Sequence, residues 1–96
     1  MPRTKYKEYA DVWDALDRSP AKRQNLRVRS GLMDVIDDII KDRQLTQAQA
    51  AKLFGVSQPR VSDLMRGRID KFSIDALVEW LARAGYRVRF SLEKAA

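Results

Sequence analysis

The sequence predicts a mainly α-helical domain that ends in one β-strand. Apolar side chains recur at helical spacing along most of the 96 residues, and Ser, Thr, Pro and Gly stand where helices begin and end. After Gly85 the apolar period shortens from 3.6 residues to 2. Because 96 residues suit one small domain, we expect an N-terminal arm over 1–17 and a folded domain over 18–96.

The first predicted helix runs from Pro20 to Arg43. Ser19 is a suitable N-cap, and proline is tolerated at the first helical position because its missing N–H has no partner there. The apolar face of this helix is formed by Leu32, Ile36, Ile39 and Ile40. Gly31 costs about 1 kcal/mol relative to a good helix former, which leaves open a kink or break near the middle.

Three shorter helices follow, and each lies between a capping side chain and a glycine. Their limits are Thr46 to Gly55, Ser57 to Gly67 and Ser73 to Gly85. The first of them also has a capping box, since Gln49 stands three residues after Thr46.

The chain ends in the predicted strand, in which apolar residues alternate with polar ones. Its apolar positions are Tyr86, Val88, Phe90 and Leu92. A single strand leaves its backbone groups unpaired, so it needs a partner. We expect it to pair with its symmetry mate in a two-fold dimer, with those four residues in the interface. The alternatives are pairing with Lys5–Tyr9 of the same chain or with a different protein.

The residue counts exclude most enzyme and metal-site interpretations. The chain has no cysteine and no histidine, so it lacks a thiolate nucleophile, a disulfide, the usual zinc ligands and an imidazole base. We therefore expect no enzymatic activity, no cofactor and no metal. Asp34, Asp37 and Asp38 are interpreted as a solvated helix face and not as a Mg²⁺ site.

The net charge is +6, from 19 Lys and Arg against 13 Asp and Glu, and basic residues are concentrated in two segments. One segment is Arg18–Arg29, to which the sequence assigns no role, and the other is Lys52–Lys71. Such charge indicates a nucleic-acid partner only where it is clustered beside a reading element. Without an apolar run of about 18 residues or an apolar signal segment, the expected location is the cytoplasm, with no membrane contact.

Two short helices joined at Gly55 have the spacing of a helix-turn-helix unit. With Gln47 counted as the first of twenty residues, small or apolar residues occupy the five positions at which the helices cross, turn and pack. These residues are Ala51, Gly55, Val56, Val61 and Leu64.

The second helix of this unit exposes polar residues suited to DNA, because its first turn would enter the major groove. The candidate base-reading residues are Gln58, Pro59, Arg60, Ser62 and Asp63. Asp63 has an alternative role, an ion pair with Arg60 or Arg66. The candidate phosphate contacts are Gln47, Ser57, Arg66, Arg68 and Lys71, for which an ordinary solvated surface is the alternative.

The segment Leu45–Gln58 resembles the Cro/cI (Xre) type of helix-turn-helix, and Gln58–Gly67 with Asp70–Ser73 resembles antitoxins of HigA type. The resemblance covers about residues 12 to 92. It implies a compact five-helix domain that dimerises on a palindromic operator, represses its own operon and neutralises a toxin that cleaves messenger RNA. It also implies a phosphate contact by Gln47, base reading by Gln58 and Pro59, and a backbone contact by Arg66. Pro59 departs from the polar residue that many phage repressors have at this position.

Taken together, these observations predict a dimeric repressor of double-stranded DNA, cytoplasmic and nucleoid-associated when bound, and the resemblance implies that it acts as the antitoxin of a toxin–antitoxin pair. Pairing of the C-terminal strands would place two reading helices roughly 34 Å apart, one turn of DNA. Two alternatives are a stand-alone phage or chromosomal regulator without a toxin, and a protein-interaction module that no longer binds DNA.

Overall fold

The computed structural model describes residues 19–95, which form four α-helices and one short 3₁₀ turn. The elements are α1 (Pro20–Asp42), α2 (Gln47–Phe54), α3 (Gln58–Met65), the 3₁₀ turn (Ile69–Lys71) and α4 (Ile74–Arg83). The four predicted helices are therefore confirmed, whereas the five implied by the resemblance are not found between residues 19 and 95. The predicted arm 1–17 and the alternative pairing with Lys5–Tyr9 lie outside the described residues.

Helix α1 is continuous over 23 residues, so the break considered at Gly31 does not occur. The helix begins where Ser19 Oγ accepts a hydrogen bond from the N–H of Lys22, and Pro20 occupies its first position. Gly31 is solvent-exposed, but Leu26 and Met33 on either side of it are buried. Core packing on both sides of the glycine outweighs its low helix propensity.

The buried face of α1 is rotated from the one that the apolar pattern predicts. Leu32 and Ile39 are only half-buried, and the fully buried row includes two polar residues. The buried residues of α1 are Leu26, Ser30, Met33, Ile36, Asp37 and Ile40, so two of the four predicted positions, Ile36 and Ile40, are confirmed. The interpretation of Asp37 as solvated is therefore wrong. Its carboxylate is buried and lies 3.1 Å from Lys41 Nζ, one turn further along the helix.

Helices α2 and α3 meet at a sharp turn formed by Gly55. The capping box is present at the start of α2, with Thr46 Oγ1 accepting from the Gln49 N–H at 3.1 Å and Gln49 Oε1 accepting from the Thr46 N–H at 2.9 Å. Gly55 has φ 69°, the left-handed region that favours glycine, and a Cβ there would lie 2.8 Å from Arg83 Cδ. The turn therefore favours glycine for its backbone conformation, and any larger residue would also displace the Arg83 side chain.

The core lies where α1 crosses α4 and both contact the α2–α3 pair. Its buried apolar residues are Leu26, Met33, Ile36, Ile40, Ala50, Phe54, Val61, Leu64, Ile69, Phe72, Leu77, Trp80 and Leu81. The Trp80 ring lies 5.7 Å from that of Phe54 and meets the Phe72 ring edge-on at 5.5 Å. This aromatic cluster joins α2, the connection after α3, and α4 into one body.

The residues after Gly85 do not form the predicted strand within this single chain. The N–H of Tyr86 donates to the carbonyl of Leu81 at 2.9 Å, but residues 87–95 make no backbone–backbone hydrogen bond to the described part of the chain. Val88 is half-buried against the core, whereas Phe90 and Leu92 are 88% and 93% exposed. A strand exists only with a second strand beside it, so the alternating pattern alone does not form one.

Candidate nucleic-acid interface

The first turn of α3 is exposed to solvent. Gln58 and Pro59 are both exposed, while Val61 and Leu64 on the opposite side of the same helix are completely buried. Ser57 is the N-cap, and its Oγ accepts from the N–H of Arg60 at 3.4 Å. The apolar contacts thus hold α3 in place with Gln58 and Pro59 directed outward.

Arg60 lies against the aromatic cluster instead of extending from the helix. Its guanidinium carbon is 4.2 Å from the centre of the Phe72 ring and 6.0 Å from that of Trp80. Its Nη1 donates a 3.1 Å hydrogen bond to the carbonyl of Lys71. In this position Arg60 ties α3 to the segment before α4. Its predicted role in base reading requires the side chain to leave these partners.

Asp63 forms an ion pair, although not with either partner considered from the sequence. Its Oδ2 lies 3.8 Å from Nζ of Lys71, and the Asp63 side chain is 22% exposed. The pair joins a predicted base-reading residue to a predicted phosphate contact across the loop between α3 and α4. Because it offsets the acidic charge, it reduces the repulsion that Asp63 would exert on a DNA backbone.

The predicted phosphate contacts lie around the two ends of this unit. Gln47 is half-buried as the first residue of α2, and Ser57 is exposed but engaged as a cap. Arg66 is exposed at the C-cap of α3, Arg68 is half-buried, and Lys71 is exposed in the 3₁₀ turn. Ser57 and Arg66 flank the reading helix directly in the chain, whereas Gln47 starts the preceding helix and Lys71 ends the 3₁₀ turn that follows.

Arg29 is a positioning residue that sequence reasoning missed. Its Nη1 donates to the carbonyls of Ile69 and Phe72, each at 3.2 Å, and its Nε donates to Asn25 Oδ1 at 2.7 Å. One member of the unassigned basic block thus holds the α3–α4 connection onto α1. No sequence signal reveals this role, because the acceptors are main-chain carbonyls 40 and 43 residues away.

A cleft opens beside this connection, at the start of α4. It has a volume of about 480 Å³, and its charged lining residues are Arg29, Arg60, Lys71 and Asp70. Both arginines are held there by main-chain carbonyls, so the positive charge of the cleft is fixed in position. Within residues 19–95 no cluster of three or more acidic side chains has a geometry suited to a metal ion.

Comparison with known proteins agrees with this geometry. A family model described as a helix-turn-helix domain matches residues 15–93. No curated protein matches the chain. Of the helices described here, none combines the length and the apolar character needed to cross a membrane.

Proposed function

The chain belongs to the helix-turn-helix domain family, and we propose that it is a sequence-specific repressor that binds double-stranded DNA as a dimer. The observation that carries the proposal is the exposed first turn of α3, where Gln58 and Pro59 point away from a helix whose other face is anchored by Val61 and Leu64. A rigidly held helix with an exposed polar first turn is what reading of the major groove requires.

In the proposed complex, the first turn of α3 enters the major groove. The Gln58 amide is suited to the N6 and N7 atoms of adenine, and the Pro59 ring to the methyl group of thymine. Ser62 and Asp63, one turn later, are half-buried and reach only the edge of the groove. Arg60 acts from the side of the helix, through its contact with Phe72.

Affinity in this proposal comes mainly from phosphate contacts around the reading helix. Arg66, Arg68 and Lys71 supply cationic side chains, and Gln47 supplies a side-chain amide at the start of α2. The net charge of +6 favours association with DNA at low salt. We propose that the protein acts by binding alone, without catalysis and without a cofactor.

The antitoxin role is the finer part of the proposal and rests on the resemblance of Gln58–Gly67 to antitoxins of HigA type. In this role the protein binds a palindromic operator in its own promoter in the cytoplasm and neutralises a toxin that cleaves messenger RNA. Its test is co-expression with the product of the neighbouring small reading frame. Formation of a stable complex and relief of growth arrest are expected. Operator binding without such a complex would instead identify a stand-alone regulator.

DNA reading is tested by fluorescence anisotropy with the chain's own promoter and with a scrambled duplex of equal length. Gln58→Ala should weaken promoter binding by about 10- to 100-fold and leave scrambled-duplex binding unchanged, since one bidentate pair is worth about 1–3 kcal/mol. Gln24→Ala, the same change on the exposed surface of α1, is the matched control and should bind as the wild type does.

Arg66→Ala should weaken binding to both duplexes and lower the slope of log K against log salt by about 1. Full promoter affinity in Gln58→Ala would contradict the assignment of base reading. Absence of wild-type binding to any duplex at about 100 mM salt would contradict the function and favour a protein-interaction module.

A further inference from the structure

The C-terminal segment and α4 together form an apolar surface that no other residue between 19 and 95 covers. Phe90 and Leu92 are almost fully exposed, and Val78 on α4 is 37% exposed. Beside them lies a cleft of about 550 Å³ whose lining includes Val78, Ala82 and Val88. Large apolar side chains next to an open apolar cleft are typical of a surface that another chain covers.

The segment also makes few backbone hydrogen bonds within the described part of the chain. Residues 87–95 form no backbone–backbone hydrogen bond with any other described residue, and a ladder with a second strand would use their N–H and C=O groups. An extended peptide that supplied both a ladder and apolar side chains would satisfy these groups and cover the cleft.

The charges of the segment restrict how a second copy can pair with it. In an antiparallel pair, the side chains of directly opposite residues point to the same face of the sheet. The apolar residues of the segment are all even-numbered, so they face one another only if the two-fold axis passes through a residue and not between two residues. A centre at Val88 places Arg87 opposite Arg89, and a centre at Arg89 places that arginine opposite itself. A centre at Ser91 places Val88 opposite Lys94. Each of these registers opposes like charges or apolar and charged groups.

A centre at Phe90 opposes no like charges, and the lysine at position 94 then faces Tyr86, whose ring and hydroxyl accommodate a cation better than the aliphatic Val88 does. This centre places Arg87 opposite Glu93 of the partner subunit and Val88 opposite Leu92 of the partner subunit, each twice in the dimer. Phe90 meets its own copy at the axis. Arg87 and Glu93 are both exposed and stand at equal distances on either side of Phe90, so the segment is complementary to its own reverse.

We propose that this protein dimerises by antiparallel pairing of residues 86–94 with a second copy, in the register centred on Phe90. This register places Leu92 of the partner subunit beside Val88, where it covers the cleft next to Val78 and Ala82. The inference deepens the dimeric part of the proposed function and rests on it. It specifies both the occupant of the surface and the residues that select it.

The test uses the charge variants Arg87→Glu and Glu93→Arg, with dimerisation measured by sedimentation equilibrium. Alone, each variant faces like charges at two symmetric contacts, so its dimer dissociation constant should rise by about 10- to 30-fold. Mixed in equal amounts, the two should form a heterodimer of near wild-type affinity, because each contact again joins a glutamate to an arginine. Native mass spectrometry identifies that heterodimer by its mass.

Arg89→Glu is the matched control, because it makes the same charge change two residues along the segment. In the register centred on Phe90 this residue faces Ser91 of the partner subunit, so its effect should be within about threefold. A heterodimer of Arg89→Glu with Glu93→Arg at wild-type affinity would overturn this register in favour of the one centred on Ser91. Equal weakening by Arg87→Glu and Arg89→Glu without rescue by mixing would overturn a defined register altogether.

The oligomeric state of the wild-type chain tests the dimer itself. A folded monomer at 100 µM, with helical circular dichroism retained, would overturn the proposal. Operator binding is measured on the same samples, so the two proposals fail separately. Normal promoter binding without the charge rescue overturns the register alone, whereas charge rescue without binding to any DNA overturns the proposed function alone.

Discussion

Replacing Arg60 by alanine separates a positioning role from base reading. The substitution removes a guanidinium that stacks 4.2 Å from the centre of Phe72 and donates a 3.1 Å hydrogen bond to the carbonyl of Lys71. A partly exposed cation–π contact contributes about 0.5–1 kcal/mol. A hydrogen bond from a charged donor contributes about 1.5 kcal/mol at the lower end of its range, which is the value suited to a half-buried site.

The expected loss in Arg60→Ala is therefore about 2 kcal/mol of unfolding free energy, equivalent to about 8–16 °C in Tm for a domain of this size. Urea and thermal denaturation followed by circular dichroism at 222 nm measure this loss. Arg66→Ala is the matched control, because it removes the same side chain from the exposed end of the same helix. The control should change stability by less than about 0.5 kcal/mol.

A second measurement on the same variant is the ratio of promoter affinity to scrambled-duplex affinity at a temperature where the protein is folded. A positioning role lowers stability and leaves this ratio within about threefold of the wild-type value. If Arg60→Ala were as stable as the wild type but bound the promoter no more tightly than the scrambled duplex, the stacking argument would be refuted. Arg60 would then leave Phe72 to read a base.

Four further substitutions test how the unit is held together, with thermal denaturation as the common measurement. Gly55→Ala should destabilise the fold by about 1–2 kcal/mol, because the φ of Gly55 is positive and the new Cβ would meet Arg83. Gly31→Ala should stabilise the fold by about 0.8–1 kcal/mol, because Gly31 lies at an exposed helical position where the new Cβ would meet no atom within 4 Å. A more stable Gly55→Ala would contradict the first argument, and a less stable Gly31→Ala would contradict the second. Arg29→Met should cost about 1–2 kcal/mol by removing the donor of the Phe72 carbonyl and one of the two donors of the Ile69 carbonyl; an unchanged Tm would show that water replaces the guanidinium. Thr46→Ala should cost about 1 kcal/mol by removing the capping box, and a loss below about 0.3 kcal/mol would argue against that cap.

The limits of the helices were predictable because local chemistry sets them. Thr46, Ser57 and Ser73 each accept a hydrogen bond from an N–H three residues later, and the glycine after α2 adopts the left-handed conformation expected of it. The same local reasoning found the exposed first turn of α3, since Gln58 directly follows its cap. Such contacts span at most one helical turn, so the sequence order contains the information needed to find them.

Predictions that depended on contacts between residues distant in the chain were less accurate. The apolar pattern indicated the wrong centre for the buried face of α1, because Asp37 lies in the row that meets the core. It gave no indication that Arg60 stacks on a ring 12 residues later. The strand after Gly85 is present as a pattern but is not formed in one chain, because its ladder requires a second strand.

From the sequence alone follow the mainly helical class, the helix-turn-helix spacing, the caps and the residues exposed at the start of α3. The tertiary structure decided how α1 is rotated against the core and which arginines are held by carbonyls. It also decided that Asp63 pairs with Lys71 and not with Arg60 or Arg66. The physical reason is range: helix caps and turns depend on hydrogen bonds between near neighbours, whereas burial and arginine contacts depend on side chains that meet only after the chain has folded.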